Sequence, residues 1–179
     1  MLVTFNQTLT VAATQQDAWN LLRDAKRLAD LIPSIESIAP VDRDGAGDPP
    51  PGLPESYLAH VVERVGPFRL SLNLNVRIVK AVESSLLQAE LTGTDRNGQN
   101  RLSGTLRAEL KEQTPGGTLL NMDSSMEVTG ALATLGAAPI RRRANELFGQ
   151  FTERLRSRFS QAEKVIGNSH KKAQETQEI

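Results

Sequence analysis

The chain of 179 residues contains no cysteine, only two histidines, and few aromatic residues, which make up 4% of the sequence. Without cysteine there is no disulfide, no thiolate metal site, no iron–sulfur cluster and no cysteine nucleophile. His60 lies in a strand-like segment and His170 in the polar end of the chain, and neither has the neighbours that a metal site requires. No glycine-rich phosphate loop opens a helix. We therefore expect neither a metal ion nor a cofactor.

Long apolar runs are also missing. No segment approaches the roughly 18 apolar residues of a membrane-spanning helix, and the first residues alternate apolar and polar side chains, unlike a signal peptide. We expect a cytoplasmic protein. Apolar residues at 39% and charged residues at 23% are typical of a globular chain. The length predicts one domain over residues 1–163, followed by a polar tail over 164–179 that we expect to be disordered.

Basic and acidic residues are equal in number, at 21 each, but they are unevenly placed. Residues 138–172 hold nine basic and three acidic residues. The run Arg141, Arg142 and Arg143 has three interpretations. It is a solvated helix face with a salt bridge from Arg142 to Glu146, a surface for an acidic partner or for peripheral contact with the inner face of the cytoplasmic membrane, or a nucleic-acid site. The scarcity of aromatic residues disfavours nucleic acid.

The apolar pattern predicts mainly strands. A strand is predicted over 3–11, then a helix capped by Thr14, and a short helix over 25–31 that Pro33 ends. A second strand follows over 34–42, and the residues 43–54, rich in glycine and proline, are predicted to form an inserted loop. Five more strands are predicted over 55–65, 68–82, 85–94, 100–112 and 118–129, with a tight turn at Asn97-Gly98.

Each of these strands is apolar on one face only, so one face of the sheet needs a cover. After Pro139, apolar residues recur at helical spacing from Ile140 to Phe159 and predict a helix long enough to supply that cover. The sequence therefore predicts an α+β helix-grip fold. In this fold, a curved antiparallel sheet of six to seven strands wraps around a long C-terminal helix, with two short helices after the first strand.

The covered face of the sheet has two interpretations. It is an ordinary packed core, or it encloses an apolar pocket, because one helix seldom fills a strongly curved sheet. The small residues Ala89, Gly104 and Ala108 leave room on that face. The residues predicted to line such a pocket are Leu70, Leu72, Leu74, Val76, Leu91, Leu106, Met122, Met126, Leu135, Leu147, Phe148, Phe151 and Leu155.

Several segments, taken together, resemble a known family. The segment TVAATQQDAWNLLRDAKRLADLIPSIES resembles the opening of SRPBCC or START-like proteins. The turn Val65-Gly66-Pro67 and the segment GALATLG, residues 130–136, ahead of Phe148 and Phe151 are similar to the CoxG family of carbon monoxide dehydrogenase subunits. The resemblance spans residues 3–160. The inserted loop at 43–54 departs from the family pattern, as does Ser34, where the family usually has glycine.

The resemblance implies a deep apolar cavity between the sheet and the last helix and a non-catalytic role. It implies binding of a quinone or lipid-like molecule by an accessory factor of a molybdenum hydroxylase of the carbon monoxide dehydrogenase type, which it links to the membrane or to its quinone pool. One alternative is an adaptor that recruits the enzyme through the arginine surface without any ligand. The other is an enzyme of the cyclase or hydrolase type, which needs acid–base residues that the predicted inward positions lack.

Overall fold

The structure is a computed structural model that describes residues 1–41, 55–113 and 116–175, with side chains as far as Ser160. The described residues form one antiparallel sheet, three α-helices and a 3₁₀ turn at Ala131–Leu135. The helices are α1 (Gln15–Arg23), α2 (Ala25–Ala29) and α3 (Ala137–Glu175). The strands are β1 (Leu2–Val11), β2 (Ile35–Pro40), β3 (Ser56–Val65), β4 (Phe68–Val82), β5 (Leu86–Asp95), β6 (Asn100–Gln113) and β7 (Gly117–Gly130). The predicted helix-grip fold is confirmed.

The strands follow one another across the sheet in the order β1-β7-β6-β5-β4-β3-β2. Strand β1 therefore joins the end of the meander, and it pairs with β7 from Leu2 opposite Glu127 to Val11 opposite Thr118. The predicted turn at Asn97-Gly98 is present, since Gly98 has a φ of +66° and its amide donates to the Asp95 carbonyl. Because side chains alternate along a strand, this register gives the sheet an inner face toward α3 and an outer face.

Side-chain caps define the two short helices. Thr14 accepts a hydrogen bond from the Asp17 amide at 3.1 Å, so α1 begins where the sequence predicts. Asp24 does the same for α2 by accepting from the Arg27 amide at 3.0 Å. The second helix ends at Ala29, two residues earlier than the predicted end, and β2 is likewise shorter than the predicted 34–42 strand. Trp19 of α1 is buried in the core.

Two separate clusters of buried apolar side chains hold the fold together. The first cluster forms where α1, α2 and α3 meet β1 and β6, and the second forms around the β3–β4 turn and the 3₁₀ turn. The buried members of the first cluster include Leu9, Val11, Trp19, Leu22, Leu31, Leu110, Leu120, Phe151 and Leu155. The buried members of the second are Val3, Val65, Leu70, Leu72, Val128 and Leu132.

Helix α3 packs mainly along β1. The Phe148 ring meets Phe5 edge-on, with 5.5 Å between the ring centroids, and Gln7 donates to the Asn145 side chain at 3.3 Å. The helix continues to Glu175, beyond the predicted domain end at 163, and that division of the chain stays a prediction. The predicted inserted loop lies outside the described residues. None of the helices in the described ranges is both long and apolar enough to cross a membrane.

Candidate functional site between the sheet and the long helix

A band of half-buried apolar side chains crosses the inner face of the sheet between the two clusters. Its members occupy neighbouring positions in the strand register: Leu74 lies opposite Gly93, Val76 opposite Leu91, and Leu106 opposite Ala89. They belong to neither cluster, although they face the same side as the buried core. We call this set the inner band; it comprises Leu74, Val76, Leu91, Leu106, Met126 and, on α3, Leu147.

The inner band accounts for six of the thirteen residues that the sequence predicts to line a pocket, and the other seven pack in or against the clusters. Leu70 and Leu72 are buried in the second cluster, which Leu135 contacts. Phe151 and Leu155 are buried in the first cluster, against which Met122 and Phe148 pack. The structure therefore brings all thirteen to the same side of the sheet but separates those that pack in or against a cluster from those that belong to neither.

The small residues of this face do not all leave room. A Cβ added to Gly104 would lie 2.6 Å from the Met126 sulfur, so that side chain already occupies the space above the glycine. Ala108 is buried within the first cluster. Ala89 is also buried but belongs to neither cluster. The expectation of free space is wrong for Gly104, because the Ser125 carbonyl and the Met126 sulfur lie where a side chain at this position would extend. For Ala89 and Ala108 it stays a prediction.

A cluster of polar side chains, which we call the clasp, joins α3 to β3, a strand far from β1 in the sheet order. Arg143 of α3 binds Glu63 of β3 through Nε and Nη2, both at 2.8 Å from Oε1, and its Nη1 binds Glu146 at 2.9 Å. The buried hydroxyl of Ser34 donates to the second oxygen of Glu63. Three segments that are distant in sequence therefore meet at one carboxylate.

The clasp keeps Glu63 ionised. Burial alone would raise the pKa of Glu63, but hydrogen bonds from the Ser34 hydroxyl, the Arg64 amide and the Arg143 guanidinium, together with the charge of that guanidinium, lower the pKa below its ordinary value. The Arg143 pKa is raised, first through its hydrogen bond to Glu146. A carboxylate held in this way is an anchor and a poor proton donor at neutral pH, so it gives no support to an acid–base enzyme.

The three arginines predicted to form one surface differ in their surroundings. Arg141 and Arg142 are exposed, whereas Arg143 is turned toward β3 in the clasp. Glu146 pairs with Arg143 at i,i+3 and not, as predicted, with Arg142 at i,i+4. Neither Arg141 nor Arg142 forms an ion pair with a residue that the structure describes.

The strand histidine lies on the outer face. His60 Nδ1 is 3.2 Å from the Asn73 side chain, and its Nε2 is 3.3 Å from the Ser71 hydroxyl. Its ring therefore has polar partners, in agreement with a surface histidine. Within the described ranges, no group of three or more carboxylate or imidazole side chains is placed to hold a metal ion.

Sequence reasoning missed the inward position of Glu63. The signal is present, because Glu63 lies between Val61 and Val65 in the alternating pattern of β3 and so falls on the apolar side of that strand. A carboxylate at such a position requires a partner. The hydroxyl of Ser34, at the position where the resembling family usually has glycine, supplies part of that partnership.

The fold resembles that of several solved structures. A conserved protein from Geobacillus kaustophilus superposes with a TM-score of 0.75 at 16% identity, covering 89% of this chain and 97% of that one. A START superfamily protein from Mycobacterium smegmatis gives 0.62 at 18% identity, covering 89% and 98%. An aromatase/cyclase from Streptomyces sp. R1128 gives 0.63 at 13% identity, covering 89% and 94%. These likenesses show the START-like fold and leave the function open.

Among curated proteins, no significant match is found. The profile of the CoxG family of carbon monoxide dehydrogenase subunits, in contrast, matches residues 8–160, which include the inner band, most of both clusters and the clasp. The match extends over most of the chain and agrees with the START-like fold. This chain therefore belongs to the CoxG family of carbon monoxide dehydrogenase subunits.

Proposed function

We propose that the protein is a non-catalytic accessory factor that binds an apolar molecule, such as a quinone or another lipid-like compound, between the sheet and α3. The observation that carries this proposal is the inner band. Six apolar side chains face the interior and remain partly exposed, while the core is packed on either side of them. When apolar side chains remain partly exposed on a concave face, an apolar ligand that removes their surface from water stabilises the protein.

Family membership supports the identity of the partner. We propose that the protein serves a molybdenum hydroxylase of the carbon monoxide dehydrogenase type and links that enzyme to the membrane or to its quinone pool. An aromatase/cyclase among the solved structures shares the fold. The paired and ionised state of Glu63 nevertheless favours binding over catalysis at this inner face.

The first experiment tests for a bound molecule and blocks its site. Protein purified under native conditions is extracted with organic solvent, and the extract is analysed by mass spectrometry. The variant Leu106→Trp places a large ring in the inner band, and the control Thr105→Trp places the same ring on the outer face, where Thr105 is exposed. We expect an apolar compound with the wild type and Thr105→Trp, and little of it with Leu106→Trp.

The stability of the same two variants distinguishes an open site from a packed core. Overpacking a filled core costs about 1–3 kcal/mol. Leu106→Trp should therefore unfold at nearly the same urea concentration as Thr105→Trp if space exists beside Leu106. Extracts without any apolar compound, together with a strong loss of stability confined to Leu106→Trp, would refute a ligand site at the inner band.

The exposed arginines favour a second activity, electrostatic binding to an anionic membrane or to the partner enzyme. Arg141 and Arg142 lie on α3 immediately before Arg143, are exposed, and contribute two positive charges without a described ionic partner. The double charge reversal Arg141→Glu/Arg142→Glu should abolish co-sedimentation with anionic liposomes or co-purification with the partner enzyme. The loss of one and not the other identifies which of the two this surface binds, and retention of both would exclude the surface from recruitment.

A further inference from the structure

A cleft of about 680 Å³ lies outside the inner band, between α1, the start of α2, the edge strand β2 and its neighbour β3. Its apolar wall includes Trp19, Ile38 and Pro40, and its polar wall includes Asn20 and Arg23. Tyr57 lines it as well. An inference about this cleft rests on the proposed function, because it concerns the same ligand.

The strand register connects the cleft with the inner face. Tyr57 lies opposite Val76 of the inner band on one side and opposite Pro40 on the other. Ile38 lies opposite Ala59, which is fully buried. Residues directly opposite in an antiparallel pair share a face of the sheet. The cleft therefore borders the inner band at Val76, at one end of that band.

The charges around the cleft cancel. Arg23 and Lys26 contribute two positive charges to its lining, and Asp24 and Glu83 contribute two negative charges. Arg23 is also paired with Glu55 at 2.6 Å. A site for a phosphate or a carboxylate would be expected to carry an excess of positive charge. A lining without net charge favours a neutral polar group.

Hydrogen-bond donors are nevertheless available in the lining. The Arg23 guanidinium has five N–H donors, and among the described residues it donates one hydrogen bond, to Glu55. The Tyr57 hydroxyl donates to the other Glu55 oxygen at 2.8 Å and retains its lone pairs as acceptors. Burial, followed by the hydrogen bond to Glu55, raises the pKa of Tyr57 to about 12, so the hydroxyl stays neutral under physiological conditions.

We propose that this cleft holds the neutral, hydrogen-bond-accepting head group of an amphiphilic ligand whose apolar tail lies along the inner band. Arg23 donates to the head group, the apolar wall packs against it, and Tyr57 lies where the head meets the tail. This assignment selects among the ligands of the proposed function. It favours quinones, esters and alcohols over fatty acids and phospholipids.

The position of Trp19 provides the measurement. It is the single tryptophan of the chain and lines the cleft. Decylubiquinone has a neutral head group that quenches tryptophan fluorescence at short range, so its titration should quench Trp19 in a saturable manner. Methyl palmitate, palmitate and hexadecyl phosphate are then used as competitors, because they carry similar chains and differ mainly in the charge of the head group. We expect methyl palmitate to displace decylubiquinone at least tenfold more effectively than either anion.

Two variants locate the head group. A hydrogen bond to a charged donor contributes about 1.5–3 kcal/mol, which corresponds to at least a tenfold change in affinity. Arg23→Gln should therefore weaken decylubiquinone binding roughly tenfold, and Arg23→Lys should restore part of it. The matched control is Arg77→Gln, since Arg77 forms a similar exposed ion pair with Glu90 on the outer face. This control should bind as the wild type does. Circular dichroism confirms that each variant is folded.

The outcomes distinguish the two proposals. If no competitor binds and Trp19 is not quenched, the proposed ligand-binding function itself fails. If the amphiphiles bind but the anions compete as well as the ester, or if Arg23→Gln binds as tightly as Arg77→Gln, the head-group assignment is overturned while ligand binding stands.

Discussion

The clasp between α3 and β3 gives a prediction whose size follows from the structure. Arg143→Met removes the charge but keeps an apolar side chain of similar length, and methionine, like arginine, has a high helix propensity. Glu63→Gln keeps the shape of the carboxylate and removes its charge. Arg143→Met leaves the largely buried Glu63 without its counter-ion, and Glu63→Gln leaves Arg143 paired with Glu146 alone, so both should lower the free energy of unfolding. The double variant should lose less than the sum of the two single losses.

The exposure of the pair sets the magnitude. Ion pairs that are fully exposed contribute about 0–1 kcal/mol, whereas removing one partner of a buried pair costs about 3–5 kcal/mol. The Glu63 side chain is 13% exposed and the Arg143 side chain 28%, which places the pair between these limits. We therefore expect each single variant to lose about 2 kcal/mol, with a coupling energy of about 1–1.5 kcal/mol between the two.

The assay is urea denaturation followed by circular dichroism, analysed as a double-mutant cycle. Arg77 and Glu90 provide the matched control cycle, because their side chains are 49% and 46% exposed on the outer face. The same substitutions there should give a coupling below about 0.5 kcal/mol. An equal coupling in the two cycles would show that Arg143 does not fix α3 to β3 and would refute the structural role assigned to the clasp.

Four further outcomes follow from local chemistry. Because the pKa of Glu63 is lowered in the folded state, its stabilisation is present above about pH 4.5 and is lost as the pH falls through the folded-state pKa. As the pH is lowered below about 4.5, the free energy of unfolding of Glu63→Gln should therefore fall less steeply than that of the wild type. Ultraviolet titration of the single tyrosine, Tyr57, should give a pKa of about 12, and a value near 10.0 would contradict its burial beside Glu55. Gly149→Ala in α3, where a Cβ meets open space, should raise the free energy of unfolding in urea by about 0.5–1 kcal/mol. Gly130→Ala should lower it by more than about 2 kcal/mol, because φ is +91° and a Cβ would overlap the Gln99 carbonyl; equal effects at the two glycines would contradict this backbone geometry.

The strands and their succession along the chain could be predicted because each strand is covered on one side only. One-sided burial places an apolar residue at every second position of a strand, as in Leu70, Leu72 and Leu74 of β4. Glycine-containing turns mark where one strand ends and the next begins. The 3.6-residue period after Pro139 identifies the cover in the same way. The ends of α2 and β2 were predicted less well. Between α2 and β2 the chain changes direction within a few residues, and tertiary contacts decide where each element stops.

The sequence could predict which face of the sheet carries the candidate site. It could not predict how the side chains on that face are packed. Periodicity places Leu91 and Phe151 on the same side of the sheet, yet it contains no information on which of them is packed by a neighbour. The clasp was missed because it joins Ser34, Glu63 and Arg143, three residues that approach one another only in the folded chain. The cleft beside Trp19 depends on how far α1 lies from β2 and β3, and no local sequence pattern determines that spacing.

The separation of the inner band from the two clusters has a consequence for how this chain can change during evolution. The residues that hold the fold together, such as Trp19 and Leu120, are constrained by packing in clusters that exclude the band. Leu74, Leu91 and Leu106 lie outside those clusters, so exchanges among apolar residues there should draw little on the narrow stability margin of the domain. Under the proposed function, successive substitutions in the band would therefore adapt the binding site to a new apolar compound while the scaffold stays unchanged.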